Sequence, residues 1–206
     1  MRTLTFTIAM LLCTWVYAQN EQATLALIEK ANAEINQIES QFAQTKTIAA
    51  NGKEIKSSGT LYIQDDDKMA MHYHAPATDL LIINGEQFYM IRGKKKNRFN
   101  TEKNTAMRSL RNTLLYCVHG KPALLAQENN ATLTVNTNND GYTVVLTSQK
   151  KTPRGYEKII LNYDAKSKLL TRMQMDEWNG NSTLYEMSGI KTNGNIAPQQ
   201  FVIPQK

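Results

Sequence analysis

Between Gly59 and Ile91 apolar side chains recur at every second position. Leu61 and Ile63 come first, then Met69, Met71 and Tyr73, and two denser runs follow at Leu80–Ile83 and Phe88–Ile91. A period of two puts alternate side chains on opposite faces of a strand. Turn chemistry divides the runs at Asp65-Asp66-Asp67, at Ala75-Pro76 and at Asn84-Gly85. Asn-Gly between two apolar runs marks a tight hairpin, because both central positions need φ > 0. The stretch therefore predicts four short antiparallel strands in a meander. One face carries Leu61, Ile63, Met69, Met71 and Tyr73. The other is more polar, with Tyr62, Gln64, Ala70, His72 and His74. The apolar face needs a cover, either packed protein or a ligand.

The remaining chain supplies candidates for that cover. Residues 1–18 have the form of a secretory signal: Arg2 at the start, an apolar stretch over Leu4–Val16, and a cleavage point after Ala18. Leu11 and Leu12 stand where a lipid-attachment motif at Cys13 would need small residues, so cleavage after Ala18 is expected, leaving residues 19–206 as one exported, soluble domain. Leu25, Ile28, Ala31, Ile35, Ile38 and Phe42 recur at helical spacing and predict an amphipathic helix from Glu21 to about Lys46. The run Gly93–Arg98, GKKKNR, reads as a basic hairpin tip. Helical spacing returns at Met107, Leu110, Leu114 and Cys117 or Val118; Gly120 fits that helix's end, and Pro122 opens a second short helix to Gln127. Strand patterns then run from Ala131 to the last segment, Phe201–Ile203.

Helix, about five strands, two helices and about six strands amount to a mainly β, α+β chain with one large antiparallel sheet. A sheet this long must curl or close. A half-closed barrel with helices in its mouth satisfies the pattern.

Chemistry is constrained by what the chain lacks. The formal charge of +6 falls by one when the segment carrying Arg2 is removed; this mild excess, without a dense basic patch interleaved with aromatics, argues against nucleic acid. Cys117 becomes the lone cysteine and reads as a small buried hydrophobe. His72 and His74 sit two apart but lack an evident third metal ligand, and the aspartate run lacks the spacing of a calcium loop. No nucleophile motif or phosphate-cradling loop is present, so no catalytic residue, cofactor or metal is assigned. Methionine stands out instead: Met69, Met71, Met90, Met107, Met173, Met175 and Met187 fall on strands or on the helix stripe. Methionine fills gaps in ordinary cores, and it also lines surfaces that accept varied apolar shapes.

The order of these segments resembles the LolA family of lipoprotein carriers. The carrying motifs are Gly59-Thr-Leu-Tyr-Ile, then Met69-x-Met-x-Tyr-x-x-Pro76, then Leu80–Asn84-Gly85-Glu-Gln-Phe88. Further on, Met173-Gln-Met-Asp176-Glu-Trp-Asn179-Gly180-x-x-Thr183-x-Tyr185 and Phe201-x-Ile203-Pro204 are similar to the family's later strands, and Ile38–Gln44 resembles its "F-x-Q" segment. The resemblance implies an unclosed β-barrel with helices as a lid over an apolar cavity. It implies a monomeric periplasmic carrier that takes lipoprotein acyl chains from an inner-membrane LolCDE-type transporter and delivers them to the outer membrane, with or without a receptor there. On that reading the cavity lining is expected from Leu61, Ile63, Met69, Met71, Tyr73, Phe88, Met90, Met107, Leu110, Leu114, Met173 and Met175.

Two departures bear on it. The family's lid-latching arginine falls on Asp65 here, so that latch does not carry over. The sequence ends at Pro204-Gln-Lys206, without the longer tail of some members, which makes retention as a soluble shuttle less secure. A sensing or interaction module of the same fold, which binds lipid or lipoprotein as a signal, is the alternative of another class.

Overall fold

The computed structural model describes residues 20–75, 79–151 and 155–204. The proposed signal segment lies outside these residues, as does Pro76 of the strand-ending motif. The described chain runs α1 (20–32), β1 (Gln37–Ile48), β2 (Lys53–Gln64), β3 (Lys68–Ala75), β4 (Leu80–Asn84), β5 (Gln87–Arg92) and β6 (Lys95–Asn100). It continues through α2 (Thr105–Val118), α3 (Pro122–Glu128), β7 (Ala131–Asn138), β8 (Gly141–Ser148), β9 (Tyr156–Asp164), β10 (Leu170–Glu177) and β11 (Ser182–Thr192). All eleven strands form one antiparallel sheet in the order β6-β5-β4-β3-β2-β1-β11-β10-β9-β8-β7, an open half-barrel. The four-strand meander expected between Gly59 and Ile91 is present as part of β2 through β5.

Three local expectations are corrected. The N-terminal helix stops at residue 32, not near Lys46. There the buried Asn32 amide turns back to donate to the Ile28 and Lys168 carbonyls, at 2.8 and 3.0 Å. Ile38 and Phe42 belong to β1, where Ile38, Ser40, Phe42 and Gln44 are buried in strict alternation. The basic run Gly93–Arg98 is not a hairpin tip: only Gly93 and Lys94 turn, and Lys95–Asn100 pairs with β5, placing Phe99 opposite Phe88. Phe201–Ile203 is not a strand either, because Pro198–Phe201 forms a single 3-10 turn. Six strands precede the central helices and five follow them.

The concave face holds the main core. β2 and β3 present Leu61, Ile63, Met69, Met71 and Tyr73 to it, and β10 presents Met173 and Met175. Leu25 and Ile28 of α1 join them, with Leu114, Leu115, Cys117 and Val118 of α2 and Leu125 of α3. α2 is started by Asn104, whose side chain accepts from the Met107 amide at 3.1 Å. Pro122, in the first turn of α3, needs no amide donor there. The face expected to be polar is partly covered. Tyr62, Ala70, Ile82 and Tyr89 pack under a C-terminal strap through Ile196, Phe201 and Ile203.

Gly59 shows why a glycine leads its strand. It pairs with Phe42 across β1, and the Phe42 ring lies over it. A Cβ at Gly59 would run into the His72 carbonyl oxygen and lie 2.8 Å from the Phe42 ring. Gly59→Ala should lower stability by about 1–3 kcal/mol through overpacking against backbone. A denaturant midpoint equal to that of the parent would refute this account.

Candidate functional site

The helices do not cover the concave face evenly. Above β1–β3 and β10–β11, side chains interlock: Phe42, Leu61, Met69, Met71, Leu114 and Met173 leave a crevice of only about 20 Å³. A second crevice at Leu61 and Ile63 is about 10 Å³. On the other side, between α2, α3 and the strands β8 and β9, a hollow of about 610 Å³ opens to solvent. Met107, Leu110, Leu125, Leu146, Tyr156 and Ile159 wall it, and Glu128, Asn129, Asn130, Lys150 and Lys158 stand at its rim.

The ladder explains how Tyr156 reaches that wall. Lys158 pairs with Asp176 and Tyr156 with Glu177, so β9 carries one extra residue there. The bulge shifts Tyr156 onto the face that Ile159 and Leu161 already occupy. Burial pushes the Tyr156 hydroxyl well above the ordinary phenol range. At the rim Glu128 is fixed by donors from α2: Asn112 Nδ2 at 2.9 Å and the Tyr116 hydroxyl at 2.9 Å. That carboxylate ties α3 to α2, making the two helices one roof.

Of the twelve residues expected to line a cavity, Met107 and Leu110 stand on the hollow. Leu61, Ile63, Met69, Met71, Leu114 and Met173 border the small crevices. Tyr73, Phe88 and Met175 are buried in the same core, and Met90 packs against it. Tyr73 donates to Gln44 Oε1 at 2.9 Å. The wall residues missing from the expected set are Leu125, Leu146, Tyr156 and Ile159. Leu146 and Ile159 fall in visible strand alternation, Leu125 lies on a helix and Tyr156 is out of phase until the bulge, and nothing in the sequence distinguishes a wall from a core.

The roof is pinned at its far corner. Asp66, in the turn between β2 and β3, accepts from Lys121 Nζ at 3.0 Å, and His119 Nδ1 lies 3.9 Å from the same oxygen. His119 and Lys121 form the connection between α2 and α3, so one carboxylate ties the sheet to both helices. The Lys121 hydrogen bond holds the Asp66 carboxyl below its usual range. Burial lowers the His119 pKa, and the Asp66 charge opposes that shift only in part. Folded His119 thus resists a proton that the unfolded chain accepts near pH 6.5. Its contribution to stability is complete above pH 6.5 and is lost as the pH falls through that value toward its lowered folded pKa. The melting temperature should decline between pH 7 and 5, and His119→Gln should flatten that decline. An unchanged slope in the variant would remove His119 from the account. The Asp66 contribution is lost only below about pH 4, the ordinary carboxylate range.

The other two histidines have structural neighbours. His72 Nε2 lies 3.1 Å from the Gln200 carbonyl and His74 Nε2 3.2 Å from Thr60 Oγ1. Cys117 is a free, buried thiol whose pKa burial raises. Among the described residues no cluster of three His, Cys, Asp or Glu side chains could hold a metal, and no helix is long and apolar enough to cross a membrane.

An open antiparallel half-barrel, roofed by helices over an apolar hollow, places the chain in the class of lidded half-barrels. The protein belongs to the LolA family: residues 33–204 match "Outer membrane lipoprotein carrier protein LolA". No curated protein matches the sequence significantly. Among solved structures, an uncharacterized conserved protein of Thermus thermophilus is 10% identical, with 89% of this chain and 94% of that one covered at a TM-score of 0.52. MucB is 12% identical, with 90% and 63% covered at 0.52. A LolA-superfamily protein of Nitrosomonas europaea is 10% identical, with 87% and 98% covered at 0.42. At these identities the likeness is one of fold.

Proposed function

We propose that the protein is a periplasmic carrier that shelters lipoprotein acyl chains beneath α2 and α3 and moves lipoproteins from the inner to the outer membrane. The observation that carries this reading is the hollow of about 610 Å³, apolar on its walls and polar at its rim, in a chain of the LolA family. Each methylene moved from water into such a wall contributes about 0.8 kcal/mol, so an acylated protein gains strongly from shelter. At roughly 30 Å³ per group of water's size, the hollow holds about one long chain as it stands. The carrier performs no covalent chemistry. Its donor is a LolCDE-type transporter at the inner membrane.

Spheroplasts with active transporter, incubated with the purified protein, should release lipoproteins bound to it; no release would reject the carrier role. Depletion of the protein should strand many lipoproteins at the inner membrane. A changed transcriptional response with lipoproteins correctly placed would favour a sensor instead.

A further inference from the structure

Among the described residues the sheet has two open edges, and they are protected differently. β6 carries Lys95, Lys96 and Arg98, cations that discourage another strand from pairing. β7 reads Ala-Thr-Leu-Thr-Val-Asn-Thr-Asn, with no charge, no proline and an unbroken register against β8. Its backbone hydrogen bonds can be followed residue by residue. The two-residue turn pairs Asn138 with Gly141, so the alternation of an antiparallel ladder turns the N–H and C=O groups of Ala131, Leu133, Val135 and Thr137 outward. Among the described residues, only the Val135 amide of these four finds a partner, donating to Glu21 Oε1 at 2.9 Å. The open part of the edge begins at the hollow, since Asn130 and Ala131 stand on its rim.

We propose that the free edge of β7, from Ala131 toward Val135, binds the extended polypeptide that follows the acylated N-terminus of the cargo, adding it as a further strand. This rests on the carrier reading above. A chain leaving the hollow past Asn130 meets the outward amide of Leu133 within three residues. Recognition through main-chain groups is indifferent to side-chain sequence, which suits a carrier of many cargoes. The flanking side chains Thr132 and Thr134 are exposed, small and neutral, and leave room for varied neighbours.

The test uses the full chain and three probes: palmitic acid methyl ester, a palmitoylated six-residue Gly/Ser/Thr peptide, and that peptide N-methylated at alternate residues. The unmethylated peptide should bind about tenfold tighter than the ester, the worth of one or two hydrogen bonds. N-methylation should abolish that gain. Leu133→Pro, which removes an outward amide that the β7–β8 ladder does not use, should abolish it too and leave ester binding unchanged. Equal affinity for the methylated and unmethylated peptides overturns the proposal. A concentration-dependent dimer lost in Leu133→Pro also overturns it, by assigning the edge to a second copy. If neither ester nor peptide binds, the carrier reading itself fails.

Discussion

Met71→Glu should abolish folding. Met71 is 4% exposed and borders a crevice of about 20 Å³, too small to hydrate a carboxylate. An uncompensated buried charge costs about 3–5 kcal/mol, and the lost methionine packing adds to that. The sum approaches the roughly 5–15 kcal/mol that holds a domain of ordinary stability together. The expected result is insoluble protein or no cooperative thermal transition. Leu110→Glu is the informative partner. Leu110 is only partly buried and stands on the open hollow, where a carboxylate keeps its water. That variant should melt within a few degrees of the parent, yet lose at least about tenfold in affinity for a fluorescent acyl probe, since a hydrated charge there excludes hydrocarbon. A well-folded Met71→Glu protein that no longer binds the probe would move the ligand site to the methionine face.

Phe201→Ala should be nearly as damaging, from the opposite side of the sheet. Phe201 is 2% exposed and packs with Ile196 against Ala70, Ile82 and Tyr89. Three polar contacts hold the strap around it: Asn84 Nδ2 donates to the Phe201 carbonyl at 3.2 Å, Arg98 to the Pro204 carbonyl at 2.7 Å, and His72 Nε2 meets the Gln200 carbonyl. Truncating a buried phenylalanine costs about 3–5 kcal/mol. Urea unfolding measures the loss, and amide exchange over residues 196–204 shows whether the strap has peeled away. A loss under about 1 kcal/mol would mean that the strap is an ornament of the outer face rather than a support.

The strands were legible because burial in this sheet follows the pleat. Leu61, Ile63, Met69, Met71 and Tyr73 are all buried, as their alternation predicts. Where two periods coincide, the sequence misleads. Ile35, Ile38 and Phe42 are three and four apart, as in a helix, while Ile38 and Phe42 are also an even number apart, as in a strand. The register with β2 and β11 decides for the strand. β6 escaped because an edge strand rich in lysine carries almost no apolar pattern beyond Phe99. Ala70 and His72 looked solvent-facing because the strap that covers them is more than 120 residues away in the chain. The hollow is the least legible feature of all. A cavity is missing packing, and the residues beside it are chemically the same as those in the core. Leu146 and Ile159 differ from Met71 and Met173 only in how closely α2 and α3 descend on them.

The place of β1 in the middle of the sheet has a consequence for how the chain reaches this state. Every other ladder joins strands that follow one another, but β1 bonds β11, with contacts such as Gln37 to Asn193 spanning 156 positions. Closing so long a loop costs entropy that local hairpins do not, and non-local pairing slows folding. The meanders β1–β6 and β7–β11 can therefore form separately, with the β1–β11 seam closing last. Until then β1 presents a bare edge, so the interval before β11 arrives is the aggregation-prone one. Of the strands described, the first to be synthesised is then the last to be completed.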